Sequence, residues 1–98
     1  MRQRKLRNLG LYRLGDGFYR AELWSLANGL YGDCTNATRQ RIGRIRIDKV
    51  QPPVELIDTL LHEALHAIFQ TMGEDKIRRL AGQLSVFLVD VLRRIEEE

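Results

Sequence analysis

Apolar residues follow two different periods along this chain, and the change falls near residue 50. Before it, Leu9 to Leu14 and Phe18 to Leu26 form two short runs rich in aromatic and aliphatic residues. Gly15-Asp16-Gly17 lies between them, a turn signal that predicts a β-hairpin. Asn28-Gly29 and Gly32-Asp33 read as loop. Arg41 to Asp48 alternates Arg44 and Arg46 with Ile45 and Ile47, so a third strand is expected with the isoleucines on one face. Tyr12, Phe18, Tyr19 and Trp24 are read as sheet packing. After Gln51-Pro52-Pro53 the spacing becomes helical. Pro53 suits a first helical turn, where its missing N–H is no loss. From Val54 to about Met72, Leu56, Ile57, Leu60, Leu61, Ala64, Leu65, Ile68 and Phe69 make a stripe expected to be buried. Glu55, Asp58, Thr59, His62, Glu63, His66 and Gln70 make the opposite stripe, expected to face a cleft. Gly73 reads as the C-cap of this helix. Glu74 and Asp75 suit the first turn of a second helix. Ile77, Leu80, Leu84, Phe87, Leu88, Val91, Leu92 and Ile95 carry it to the end of the chain. The fold class that follows is α+β: a small antiparallel or mixed sheet of about three strands on two C-terminal helices, antiparallel neighbours across a short connection.

With 98 residues, the chain is expected to form a single domain over residues 1–98, with residues 1–8 as a flexible basic leader. No apolar run is long enough to span a bilayer, and the basic start lacks the apolar stretch of a secretory signal. Cys34 stands alone, so no internal disulfide can form; a cytoplasmic location is the expectation. The net charge of +3 hides an asymmetry. Residues 1–47 carry ten Lys and Arg against three Asp and Glu, whereas residues 48–98 carry six against ten. The basic half could contact nucleic acid, although Arg44 and Arg46 also fit the solvated face of a strand.

The chemistry is concentrated in His62-Glu63-Ala64-Leu65-His66. Residues four apart lie one turn apart on one helix face, so both imidazoles can reach one metal ion. Glu63 beside them is placed to take a proton from a metal-bound water. Two neutral nitrogen ligands with an adjacent carboxylate suit zinc-assisted amide hydrolysis. They are the chain's only histidines.

The order of elements, with Ile45-Arg46-Ile47-Asp48 followed by Thr59-Leu60-Leu61-His62-Glu63-Ala64-Leu65-His66-Ala67-Ile68, resembles the small zincin-like metallopeptidases carried by phages and prophages. These are minimal relatives of the ImmA/IrrE-type and SprT-like peptidases. The resemblance spans most of residues 9–92, and its specific part is Arg44 to Ile68. It implies Zn2+ on the motif helix, His62 and His66 as ligands, Glu63 as general base, and a peptide or protein substrate. It also implies that the strand before the motif helix binds an extended peptide, here through Gly43, Arg44, Ile45 and Arg46.

A hydrolytic zinc site wants three protein ligands and one open position. No third histidine exists, and in the resembling peptidases the third ligand is usually an acid on the following helix. Glu74 is the first candidate, being in helical phase with Ile77 and Ala81; Asp75, Cys34 or no third ligand are the alternatives. Helices that turn back tightly at Gly73 would set Arg79, not an acid, level with His66. Glu74 would stand roughly 12 Å along the axis from His66 if the first helix ran on to it. It reaches the metal only if that helix ends early. Arg78 near the site would repel a metal or bind a substrate carboxylate, and Asp58, one turn before His62, could orient its ring. Three functions follow: a zinc metallopeptidase, a degenerate binding or regulatory module on the same fold, or a nucleic-acid-associated protein.

Overall fold

A long hairpin begins the fold. Strand β1 (Arg4–Leu14) turns at Gly15-Asp16, where Gly15 takes a φ of 65°, and returns as β2 (Gly17–Ser25). This computed structural model describes residues 2–27 and 29–97. The expected leader is largely strand: Arg4 and Lys5 pair with Ser25 and Trp24, and the register shifts twice before Leu11. Its charges had disguised a strand whose partner is a well-formed neighbour rather than its own apolar pattern.

Among the described residues the sheet has four strands, in the order β1-β2-β4-β3. Strand β3 (Gly32–Thr35) lies where loop was expected, and β4 (Gly43–Asp48) is the predicted Ile45/Ile47 strand. β4 runs parallel to β2 and antiparallel to β3. The sheet is therefore mixed, one strand larger than expected. β3 escaped notice because its four residues, Gly-Asp-Cys-Thr, are turn formers with no apolar alternation.

Helix α1 (Pro53–Ile68) lies over β3 and β4, with Pro53 in its first turn. Helix α2 (Glu74–Glu96) packs on α1 and not on the sheet. Two points differ from expectation. α1 ends at Ile68, capped by Phe69 whose N–H donates to Leu65 O, and Gly73 is the N-cap of α2 rather than a C-cap. The face of α1 pressed on the sheet carries Thr59, Glu63 and Ala67, all buried, while Leu60, Ile68 and Phe69 of the apolar stripe are exposed. The rotation follows from the edge strand beneath: Gly32 has no side chain, and a Cβ there would stand 2.8 Å from Thr59 Cγ2. The helix settles its small and polar face into that gap.

The core joins Tyr19, Ile45, Ile47 and Ala67, with Leu14, Cys34, Ala37 and Leu56 around them. Tyr19 binds the layers: its hydroxyl donates to Ala67 O (3.3 Å) and accepts from Ala37 N–H (3.1 Å) and Gln70 Nε2 (2.9 Å). A second small core holds Ile77 and Ala81 between the helices. No helix among the described residues is long and apolar enough to cross a membrane.

Candidate metal centre

Three elements meet at one end of the helical layer: edge strand β3, the last two turns of α1, and the first turn of α2. His62 and His66 project from the same side of α1, their rings 4.8 Å apart and steeply inclined. Their Nε2 atoms approach to 3.2 Å. The early end of α1 decides what faces them. After Phe69 the chain reverses, with Met72 N–H donating to Phe69 O, and Glu74 enters as the first residue of α2. Its carboxylate spans the imidazoles, Oε1 2.8 Å from His62 Nε2 and Oε2 2.7 Å from His66 Nε2. The three ligand atoms lie within 4.8 Å of one another.

This donor set fits zinc. Two imidazole nitrogens and a carboxylate oxygen form a known hydrolytic ligand combination. Zn–N bonds of about 2.0–2.1 Å in a tetrahedral arrangement hold two donors about 3.3 Å apart, close to the 3.2 Å between the imidazole nitrogens. The nitrogen–oxygen separations are those of hydrogen bonds. They need to widen by about half an ångström, which the half-exposed Glu74 side chain can supply by a small torsion. The carboxylate already carries its charge: burial alone would raise its pKa, but His62 and His66, a hydrogen bond from His66, and Arg78 hold it below its ordinary value.

Glu63 sits behind the ligands against β3, 7% exposed. Burial, and after it the charges of Asp33 and Glu74, push its carboxyl from 4.5 up to about 7. Glu63 lines a cleft of about 320 Å3 with His62, His66, Glu74, Gly32 and Cys34. A carboxyl titrating near neutrality beside an open cleft is suited to proton transfer.

The other sequence candidates fall elsewhere. Asp75 points fully into solvent and is paired with Arg78 at 3.5 Å. Cys34 lines the cleft but lies outside the three-ligand cluster, and burial, aided by Glu63 and Asp33, pushes its thiol up to about 12. A thiol so reluctant to ionise is a poor metal ligand. Arg78 stands 3.5 Å from Glu74 Oε1, bracing that carboxylate from the solvent side. Asp58 Oδ1 is buried without a hydrogen-bond partner among the described residues, so it does not orient the His62 ring in this arrangement.

The strand expected to bind substrate is corrected by the topology. Gly43, Arg44, Ile45 and Arg46 belong to β4, which is paired on both sides, with β2 and with β3. Its backbone has no free edge to offer a peptide. The free edge beside the cleft belongs to β3, which sequence reasoning missed; the side chains of Ile45 and Arg46 hold the sheet together instead, Ile45 in the core and Arg46 paired with Asp33.

Three cations of the basic half, Lys5, Arg44 and Arg46, gather around Glu22 and Trp24 on the sheet face away from α1. Each of these three has an acidic partner, and Arg46 takes Asp33. Glu22, buried on that face, lies 3.6 Å from Lys5 and 3.9 Å from Arg44, and receives a hydrogen bond from Trp24 Nε1. Arg44 and Arg46 stand over the Trp24 ring. This is a stacked structural network rather than a row of free cations.

Comparison with known protein families, curated proteins and solved structures finds no match.

Proposed function

We propose that this protein is a zinc-dependent metallopeptidase of the zincin-like type. One observation supports the reading above the rest: His62, His66 and Glu74 converge from two helices, while Glu63 is buried beside them with its carboxyl poised near 7. Zinc held by these three residues would supply Lewis acidity at the scissile carbonyl and make bound water acidic near pH 7. The protein's own part is proton handling. Ionised Glu63 accepts the proton of the attacking water and delivers it to the departing amine. Arg78, by neutralising part of Glu74, holds that ligand toward the histidines. An extended peptide would add to the free edge of β3, Gly32–Thr35, and so run along the mouth of the cleft.

The test separates metal binding from turnover. Glu63→Gln should retain stoichiometric zinc and lose cleavage of an unfolded protein substrate by about two to four orders of magnitude. Glu74→Ala should lose zinc itself, whereas Asp75→Ala should change neither. Undiminished cleavage by Glu63→Gln would remove the proposed base, and zinc uptake by Glu74→Ala equal to that of the parent would remove the proposed third ligand.

A further inference from the structure

We propose that the C-terminal half of α2 binds a second copy of this chain, helix against antiparallel helix about a two-fold axis. The apolar seam of α2 runs Ile77, Ala81, Leu84, Leu88, Val91, Ile95, with alternating steps of four and three residues. That is the repeat of a helix built to pair along its whole length. The first two positions use it up within the chain, Ile77 and Ala81 being 0% exposed against α1. The seam then continues in unbroken register with nothing over it among the described residues. Leu84 is 40% exposed, Leu88 and Val91 36% each, and Ile95 61%, flanked by Phe87 at 60% and Leu92 at 51%.

The area decides whether this face can hold a dimer. Those six side chains leave on the order of 550 Å2 of apolar surface on one flank, at the upper end of what monomers expose. A standard interface takes about 800 Å2 from each partner, and homodimer interfaces are about two-thirds apolar, which requires about 520 Å2. The face supplies that amount from one helix.

Self-complementarity selects the second copy and its direction. With a two-fold axis between Val89 and Asp90, Leu84 lies opposite the copy's Ile95, and Leu88 opposite its Val91. Each layer then matches one seam residue with another of similar size. The same operation sets Phe87 level with the copy's Leu92, one large exposed apolar side chain against another. The helix dipoles oppose in this arrangement. A parallel pair would instead bring the Glu96 and Glu97 carboxylates of both copies together, which is unfavourable.

Sedimentation velocity over a concentration series, on the full chain, tests the idea. The parent should sediment as a dimer that dissociates on dilution. Leu88→Glu and, separately, Ile95→Glu should weaken association by about 100-fold or more. Both sites are exposed in the single chain, so helical circular dichroism and zinc uptake should stay at parent levels in each. Direction is read by thiol cross-linking in a Cys34→Ser background. Mixed Leu88→Cys and Val91→Cys chains should join to each other faster than either joins to itself. A parent that remains monomeric into the high micromolar range overturns the proposal. So does a dimer indifferent to both charged substitutions, or self-joining of Leu88→Cys in preference to the mixed pair.

Discussion

Replacing Glu63 by Gln should make the protein more stable at neutral and alkaline pH, even though it removes the proposed base. The carboxyl moves from 4.5 in an exposed setting to about 7 in the folded chain. A carboxyl whose folded value is raised favours folding while it is protonated. Its contribution is therefore complete below pH 4.5 and is lost as pH rises through about 7. At about 1.4 kcal/mol for each pH unit of displacement, ionising Glu63 in place costs the fold roughly 3 kcal/mol at pH 8, against roughly 1 kcal/mol at pH 5. Glu74 does not confuse the reading. Its value is lowered, so its contribution is present above 4.5 and is lost only as pH falls below that. His62 and His66 are common to both proteins, so the difference between parent and variant isolates Glu63. The assay is urea unfolding in the presence of a chelator at pH 5, 6, 7 and 8. The gap between Glu63→Gln and the parent should open by about 2 kcal/mol across that range. A gap that stays constant with pH would show that burial does not hold this carboxyl protonated, and the argument for its proton-transfer role would fall with it.

Two further outcomes probe how the site is held. Tyr19→Phe should cost about 2–3 kcal/mol in chemical denaturation, because one hydroxyl serves Ala67, Ala37 and Gln70 and its loss leaves buried polar groups unmatched; a change under about 0.5 kcal/mol would show those bonds to be replaceable by water. Gly32→Ala would place a methyl 2.8 Å from Thr59 Cγ2 and 2.9 Å from Arg46 O. It should cost about 1–3 kcal/mol and, by prising α1 off β3, should flatten the pH dependence that Glu63 imposes. Retention of the full slope would mean that the helix does not rest on that glycine.

The helical half of the chain was legible because its signals are local. Pro53 and the period of Leu56 to Ile68 place α1, and the four-residue spacing of His62 and His66 sets both rings on one side. What completes the cluster was harder to see. Glu74 reaches the histidines only because α1 stops at Ile68, and Phe69, which caps it, carries none of the glycine or asparagine chemistry that marks a helix end. The periodicity ran on through Phe69, and Gly73 drew the boundary to itself. On the sheet side the misses share a cause. Arg4 to Asn8 and Gly32 to Thr35 are strands through their neighbours' hydrogen bonds, not their own composition. The peptide-binding expectation for Gly43–Arg46 came from the resemblance, and the unforeseen β3 occupies the edge that it needed. The burial of Thr59 and Glu63 was equally hidden, because polarity alone cannot tell a solvated face from one pressed against a glycine in an adjacent strand.

The strand order has one more consequence. β3, β4, α1 and the start of α2 form one continuous stretch of chain, and every residue of the cluster and its cleft wall lies within Gly32–Glu74. Assembling the site thus closes only short loops, for which the entropy loss is modest. β1 is attached at the far margin of the sheet, held by β2 alone among the strands. Peeling away of that margin, the expected first opening in amide exchange, would leave the two imidazoles and their carboxylate standing.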